Sequence, residues 1–338
     1  MKALLSRAPG GPDTLVLEDV PKPRPGPGEV SIHVKACAVN YPDTLIIEDR
    51  YQFKPPRPFS PGGEVSGVVS EIGAGLSGIA PGDRVIGWCN WGGMAERLVV
   101  PAARCIPIPD IMPFDEASAL MTTYGTSYYA LKVRGHLKRG ETVLILGAAG
   151  GVGLAAVELG KAMGAHVIAA ASSDDKVEVA KQRGADIGVV YPQKLSGKED
   201  ARNLTSALKQ VCGDRGADVI YDAVGGDYAE AALRCIAWEG RFLIVGFPAG
   251  IPRIPLNLPL LKSCDIVGVF WAAWIDKDPK GFAESTRDLM DFYKTNKIKP
   301  LISKRFPLER AGEAITCLAS RNALGKVVVL INDGADIR

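Results

Sequence analysis

The sequence predicts an α/β protein made of two parts, a β-rich domain and a doubly wound parallel sheet. The chain has 338 residues, more than one compact core usually holds. Short strand-like runs separated by proline and glycine fill its first third, whereas apolar strands alternate with helical segments from about Pro113 onward. In that second part, a glycine-rich segment at residues 147–153 joins an aliphatic run to a helical pattern.

The strand-like runs of the first third are short and closely spaced, as is typical of a twisted β domain. They lie at residues 29–38, 63–69, 84–87 and 95–100. A last apolar run at residues 326–331 is expected to rejoin this domain.

The second part contains short apolar runs of the fully buried type. They lie at residues 142–146, 167–171, 187–191, 218–222 and 241–246, with a sixth at 265–270. Helical segments separate most of them, and strands joined by crossover helices form a parallel sheet with helices on both faces. Further helices are predicted at residues 117–133 and 282–294.

Composition excludes several classes of function. The net charge is +2 and no block of like charge occurs, so the electrostatic footprint of a nucleic-acid binder is missing. The seven cysteines are scattered without a CxxC pair or a disulfide framework, which favours a reducing compartment. The chain shows neither a signal peptide nor an apolar run of about 18 residues that could span a membrane. We therefore expect a cytoplasmic protein without nucleic-acid or membrane partners.

The glycine-rich segment, with the sequence GAAGGVG, is typical of a dinucleotide-binding turn. Such a turn brings backbone N–H groups and the positive end of a helix dipole close to a pyrophosphate, and residues without Cβ allow that approach. The alternative is a purely structural turn, since any tight strand-to-helix connection favours glycine. A P-loop is excluded, because Ala162 stands where Ser or Thr is required.

The residues after the second strand indicate which dinucleotide is bound. NAD-binding folds usually carry Asp or Glu about 20 residues beyond the glycines, where this chain has Ser172. Ser172 and Ser173 can donate hydrogen bonds to a 2′-phosphate and Lys176 supplies a positive charge, which favours NADPH. Asp174 would play the NAD role if the loop were shifted. A helix N-cap formed by these serines is compatible with both cofactors.

Several motifs together resemble one known family. They are Asn-Tyr-Pro-Asp at residues 40–43, Pro-Gly-Gly-Glu at 61–64, LGAAGGVG at 146–153 and Gly-Lys-Val-Val-Val at 325–329. The chain resembles the zinc-free branch of the medium-chain dehydrogenase/reductase superfamily, the NADPH:quinone oxidoreductase or zeta-crystallin group. The resemblance implies a GroES-like twisted β-barrel catalytic domain at residues 1–122, completed by 268–338. It also implies a Rossmann NADPH-binding domain with a six-stranded parallel sheet at residues 123–267.

The resemblance also implies which residues bind NADPH. They are Asn40, Thr126, Gly150, Gly151, Val152, Gly153, Ser172, Ser173, Lys176, Tyr191, Gly246, Phe247, Val269, Phe270, Asn322 and Lys326. Gly150 to Gly153 would wrap the pyrophosphate, while Phe247, Val269 and Phe270 would surround the nicotinamide. Strand ends buried in a core are the alternative interpretation of those three apolar side chains.

The same resemblance indicates catalysis without a metal. The zinc-dependent branch has metal ligands at the places of Asn40, Gly63 and Thr122, so no metal is expected. Asn40, Tyr41 and Tyr51 are the predicted catalytic residues. Asn40 would polarise a carbonyl or bind the nicotinamide ribose, Tyr41 would form a wall of the pocket or donate a proton, and Tyr51 would close the pocket. Water is the alternative source of the proton. Surface aromatic residues on a loop are the alternative for both tyrosines.

The predicted reaction is zinc-independent hydride transfer from NADPH to a quinone. Reduction of an activated alkene (an enal, enone or enoyl-CoA) is the alternative, with Arg50, Lys54 and Arg57 as a basic rim for a CoA substrate. A non-enzymatic NADPH-binding structural or regulatory protein is the alternative of another class. Because residues 265–270 predict an apolar edge strand, we also expect a homodimer.

Overall fold

The computed structural model describes residues 1–320 and 323–331. The backbone forms two compact units, Met1–Thr122 together with the segment from Pro300, and Thr123–Lys299. No helix in the described part of the chain is long and apolar enough to cross a membrane.

The strands are numbered in chain order. They are β1 Lys2–Leu5, β2 Val16–Asp19, β3 Glu29–Val39, β4 Glu64–Ile72, β5 Arg84–Trp88, β6 Arg97–Pro101, β7 Cys105–Pro107, β8 Thr142–Leu146, β9 His166–Ala171, β10 Ile187–Val190, β11 Ala217–Asp222, β12 Ile236–Ile244, β13 Asp265–Gly268, β14 Ile302–Pro307 and β15 Lys326–Leu330.

The α-helices are numbered in the same way. They are α1 Tyr41–Ile46, α2 Phe114–Ser118, α3 Thr126–Tyr128, α4 Gly151–Ala162, α5 Asp174–Gln182, α6 Lys198–Cys212, α7 Gly226–Leu233, α8 Asn257–Lys262, α9 Trp271–Lys277, α10 Pro279–Lys294 and α11 Ala311–Ala319. Single 3-10 turns occupy Pro12–Thr14, Ala102–Arg104 and Leu308–Arg310, and π-helical turns occupy Met121–Gly125 and Tyr129–Arg134.

The first unit is built around the long strand β3. Its sheet has the order β14-β15-β3-β4-β5-β7, with β6 also paired to β3. Strand β15 runs antiparallel to β3 with Val327 opposite Val39, which confirms that the last strand rejoins this domain. The buried side chains of both strands, such as Ile32 and Val329, form its core.

The second unit contains the predicted six-stranded sheet, and all its strand pairs are parallel. The strand order is β10-β9-β8-β11-β12-β13. The order reverses between β8 and β11, and ligands of such sheets bind beyond the carboxyl ends of the strands at this switch point. The α/β fold class predicted from the sequence is thus confirmed.

The structure differs from the sequence-based domain limits at residues 268–299. These residues group with the second unit and not with the first, where the predicted limit at 268 placed them. The reason is packing: a Cβ on Gly125 would lie 2.7 Å from Cζ2 of Trp271, and the rings of Tyr129 and Trp274 stack with centroids 4.6 Å apart. The helix predicted at 117–133 is divided in the structure: α2 ends at Ser118, and residues 121–134 form two π-helical turns on either side of α3.

Candidate cofactor site and active site

The glycine-rich turn connects β8 to α4. Gly147 has a φ of +73°, a conformation that favours glycine, and the Gly150 N–H donates to the Gly147 carbonyl oxygen at 3.0 Å. A Cβ on Gly153 would lie 2.1 Å from that same oxygen, so the first turn of the helix needs a glycine there. Around Gly150, by contrast, the nearest atom to an added Cβ is 3.5 Å away. The backbone at Gly150 is therefore open to a ligand, and the turn fits a pyrophosphate.

Two buried hydroxyl groups hold this turn. Ser127 Oγ donates to the Val152 carbonyl oxygen at 2.8 Å, and the Tyr221 hydroxyl lies 3.4 Å from the same oxygen. The two hydroxyl oxygens are 2.9 Å apart. Sequence reasoning missed both residues, although a tyrosine beside the apolar residues Val219 and Ile220 of β11 was a visible signal.

Asp222 organises the carboxyl ends of β11 and β12. Its Oδ1 accepts the N–H groups of Val224 and Gly225, both at 2.9 Å, while its carbonyl oxygen accepts the Val245 N–H at 2.9 Å. Gly246 lies beside it, with its N–H 3.3 Å from the same carbonyl oxygen. Burial raises the pKa of Asp222 and the two N–H donors oppose that shift. Asp222 was not predicted as a site residue, although it is the last residue of the buried strand β11.

The predicted 2′-phosphate residues come together at the carboxyl end of β9. Lys176 Nζ donates to Ser172 Oγ at 3.0 Å, and Ser173 Oγ accepts the Lys176 N–H at 3.4 Å as the N-cap of α5. Asp174 is exposed in the first turn of α5. The serines therefore form the N-cap and, in the same place, a hydroxyl and ammonium group suited to a phosphate. Tyr191 is buried in the core of the second unit, and the centroids of the Tyr191 and Tyr228 rings are 5.0 Å apart.

The predicted nicotinamide residues line an open cleft of about 480 Å³ in the second unit. Phe247, Val269 and Phe270 border it, and Phe247 and Phe270 are exposed, which disfavours their interpretation as core residues. Thr126 is half-buried in the α3 turn between the two π-helical turns. Asn322 lies outside the described residues.

Asn40 begins helix α1 at the end of β3. The Asp43 carboxylate accepts the Asn40 N–H at 2.7 Å and the Gly62 N–H at 3.0 Å. Asp43 is buried, and this burial raises its pKa to about 6 despite the two N–H donors.

Lys326 and Glu64 complete a buried polar cluster in the first unit. Lys326 Nζ donates to Asn40 Oδ1 at 2.5 Å and to the Val39 carbonyl oxygen at 2.9 Å. Glu64 Oε1 accepts the N–H groups of Met121 at 2.5 Å and Thr122 at 3.1 Å, whereas Oε2 has no hydrogen-bond partner among the described residues. Burial lowers the pKa of Lys326, while the charges of Glu64 and Asp43 raise it.

The two predicted catalytic tyrosines differ in burial. Tyr41 is 42% exposed at the start of α1, whereas Tyr51 is half-buried with its ring edge-on to Phe53 at 5.7 Å. Burial, and then the charge of Asp43, raises the pKa of Tyr51. Tyr51 is thus held in its neutral phenol form, so it can donate a hydrogen bond.

Comparison with known proteins agrees with this arrangement. Residues 26–110 match the model of the alcohol dehydrogenase GroES-like domain, and residues 151–292 match the zinc-binding dehydrogenase model. A quinone oxidoreductase-like protein 2 homolog of Nematostella vectensis is 39% identical over 90% of this chain and 82% of its own length. The chain belongs to the zinc-free quinone oxidoreductase family of the medium-chain dehydrogenase/reductase superfamily.

Solved structures of similar proteins include several oxidoreductases. A probable oxidoreductase from Mycobacterium abscessus is 36% identical with a TM-score of 0.87, covering 98% of both chains. Escherichia coli quinone oxidoreductase, solved in complex with NADPH, is 27% identical with a TM-score of 0.89, covering 98% of this chain and all of that one. This member of the quinone oxidoreductase family thus combines a GroES-like domain with a Rossmann domain, and it is an oxidoreductase.

The cluster around Asn40 does not fit the zinc ion that the name of one matching domain model implies. The buried ammonium of Lys326 bonds to Asn40 and lies in the field of Asp43 and Glu64, so a metal cation would meet another cation there. Residues 1–320 and 323–331 contain no group of three or more His, Cys, Asp or Glu side chains arranged to hold a metal ion.

Proposed function

We propose that this oxidoreductase uses NADPH to reduce a quinone without a metal. The observation that carries the choice of cofactor is the contact between Lys176 Nζ and Ser172 Oγ at the carboxyl end of β9. A positive charge beside a hydroxyl suits the 2′-phosphate of NADPH, whereas a carboxylate would be needed there for NAD. The NADPH complex of the related Escherichia coli quinone oxidoreductase supports the same choice.

The roles of the chain's own residues follow from that proposal. The open backbone at Gly150 binds the pyrophosphate, and the positive end of α4 stabilises its charge. Phe247 and Phe270 offer exposed apolar surface that excludes water from the nicotinamide. When bound, NADPH supplies a hydride. Since the reduced acceptor gains negative charge on oxygen, neutral donors such as the Asn40 amide stabilise the product.

Two features bear on the alternative reduction of enoyl-CoA. Arg57, one of the residues proposed as a basic rim, donates to Asp49 at 2.7 Å and to the Ile47 carbonyl oxygen at 2.9 Å. Arg50 donates to Glu48 at 2.9 Å. Both guanidinium groups are thus paired with carboxylates, so the structure gives this alternative no support of its own.

The experiment that tests the function follows NADPH consumption with a panel of acceptors. The panel holds 1,4-benzoquinone, 9,10-phenanthrenequinone, a 2-alkenal, an enone and crotonyl-CoA, each with NADH as the control cofactor and with EDTA present. We expect the protein to turn over the quinones with NADPH, and we expect the rate to be the same with and without EDTA. Preference for an alkene would move the assignment to enone or enoyl reduction, and loss of activity with EDTA would contradict the metal-free proposal.

A Tyr41→Phe variant with unchanged kcat at every pH would exclude Tyr41 as the proton donor.

We also propose a homodimer formed through β13. This strand lies at the edge of the parallel sheet and exposes Ile266. Nearby in the chain, Leu256, Leu260 and Leu261 are between 63% and 78% exposed around the short helix α8. The unpaired backbone groups of an exposed apolar edge strand can bind a strand of another chain, and a second copy of this chain would cover the surface. Sedimentation should show a dimer that Leu260→Glu weakens, whereas a monomeric wild-type chain at micromolar concentration contradicts the proposal.

A further inference from the structure

The side-chain amide of Asn40 lies against the ammonium of Lys326 in the interior of the first unit. Lys326 Nζ is 2.5 Å from Asn40 Oδ1, and the two residues are 4% and 8% exposed. An ammonium group carries donors and no acceptor. The amide oxygen of Asn40 must therefore face Lys326, and the amide nitrogen must face away from it.

The nitrogen of this amide retains unused donor capacity. Within residues 1–320 and 323–331, Asn40 Nδ2 donates to the Ala38 carbonyl oxygen at 3.4 Å, close to the upper limit for a hydrogen bond. Because Nδ2 carries two hydrogens, at least one is available to a ligand. The short bond from an ammonium to Oδ1 also polarises the amide, which strengthens its N–H groups as donors.

The neighbours of Lys326 keep this contact in place. Strand β15 carries Lys326 beside the end of β3, since Val327 is opposite Val39 in the antiparallel pair. The second donor of the ammonium goes to the Val39 carbonyl oxygen at 2.9 Å. Asp43 meanwhile accepts the backbone N–H of Asn40, so backbone and side chain of Asn40 are each held by a charged group.

We propose that Lys326 is a positioning residue that holds Asn40 Oδ1 and thereby directs the Nδ2 donor to an oxygen of the bound ligand. The proposal rests on the proposed function, because that oxygen belongs either to the acceptor being reduced or to the ribose of the cofactor. Both oxygens accept the same hydrogen bond. In both cases Lys326 acts through Asn40.

A double-mutant cycle tests the proposal. Lys326→Met keeps the length of the side chain but removes its donors, and Asn40→Leu removes the amide at similar size. We expect each variant to lower kcat/KM about 10- to 100-fold, and the double variant to be no worse than Asn40→Leu alone. Effects that multiply in the double variant would show that Lys326 does not act through Asn40.

The constant that changes in the variants shows which of the two ligand oxygens accepts the hydrogen bond. If the oxygen belongs to the acceptor, both single variants lower kcat while the Kd for NADPH is unchanged. If it belongs to the ribose, both raise the Kd for NADPH. In either case the two variants must change the same constant, and a Lys326→Met variant that alters thermal stability alone overturns the proposal.

Two further variants exclude a merely structural effect. Lys326→Gln keeps a neutral donor on a side chain that is one bond shorter, so it should recover part of the activity lost in Lys326→Met and remains testable if that variant fails to fold. Lys304→Met removes an exposed lysine from the neighbouring strand β14 and should leave all constants unchanged. Equal activity of the Gln and Met variants would contradict the need for a donor.

A measurement without turnover keeps this inference separate from the proposed function. In protein with ¹⁵N-labelled asparagine, the side-chain amide of Asn40 is the NMR signal pair that is absent in Asn40→Leu. Lys326→Met should shift this pair and speed its exchange with solvent. An unchanged pair would refute the positioning role, whereas a shifted pair in a protein that reduces no acceptor would refute the function alone.

Discussion

Gly150 and Gly153 lie three residues apart in the glycine-rich turn, yet an added methyl group should change a different property at each. At Gly153 it should lower the stability of the fold, and at Gly150 it should weaken the binding of NADPH. At Gly153 the added Cβ would lie 2.1 Å from the Gly147 carbonyl oxygen and 2.7 Å from its carbonyl carbon. Both atoms belong to the backbone, so the helix must move away from the turn. At Gly150 the nearest atom is 3.5 Å away and φ is −79°, so the fold accepts the methyl group.

The expected magnitudes follow from these distances. Overpacking at Gly153 should cost about 1–3 kcal/mol of unfolding free energy, which for a unit of this size lowers Tm by about 2–12 °C. Alanine in place of the N-cap glycine at position 150 should cost under about 1 kcal/mol. If the pyrophosphate packs on this backbone, the same methyl group should weaken NADPH binding by about 1–3 kcal/mol, or about 5- to 150-fold in Kd.

The assay compares thermal unfolding and NADPH titration by fluorescence for both alanine variants and the wild-type chain. Gly150→Ala is the control for folding, since it adds the same methyl group to the same turn. A Gly153→Ala variant that melts with the wild type would refute the steric reasoning. A Gly150→Ala variant with unchanged Kd would show that the pyrophosphate does not approach this backbone.

Three further predictions concern the turn, the buried acid and the phosphate site. Tyr221→Phe should lower the unfolding free energy by about 1–2 kcal/mol, because the buried Val152 carbonyl and its neighbours lose a hydroxyl partner; an unchanged melting temperature would contradict this. Burial raises the pKa of Asp43 to about 6, so its ionisation destabilises the folded state as pH rises from 4 through 6, by about 3 kcal/mol at most. The unfolding free energy of the wild type minus that of Asp43→Asn, measured with urea, should fall by about that amount between pH 4 and pH 8. A difference that does not change with pH would refute the shifted pKa. Lys176→Met should raise the Kd for NADPH about tenfold and leave that for NADH unchanged, whereas equal changes would argue against a 2′-phosphate contact.

Local patterns predicted most of the fold. The apolar runs that became β8 and β9 are buried on both faces, so their composition is itself a signal of a central parallel strand. At residue 268 the grouping of the chain in the structure differs from the predicted domain limit, for the opposite reason. Whether Trp271 packs on Gly125 depends on a contact between residues far apart in the chain, which no local pattern contains.

The same distinction holds for the site. Ser172 and Lys176 were predicted because they follow a buried strand at a known distance from the glycines, and the structure brings their side chains together at 3.0 Å. Their binding roles, like those of Tyr41 and Tyr51, stay predictions. Asp222 was missed, because an acidic residue at the end of a strand does not reveal which N–H groups will donate hydrogen bonds to it.

By itself, the sequence determined the order of strands and helices, the glycine-rich turn and the positions of Ser172 and Lys176 directly after the second strand of the parallel sheet. These features follow from burial periodicity and from the backbone conformations that glycine allows, both of which are properties of short segments. Only the tertiary structure decided that Lys326 bonds to Asn40, 286 residues earlier in the chain, beside Asp43 and Glu64. The pairing of β15 with β3 creates that contact. Because the groups are buried, the charges of Asp43 and Glu64 then affect the pKa of Lys326.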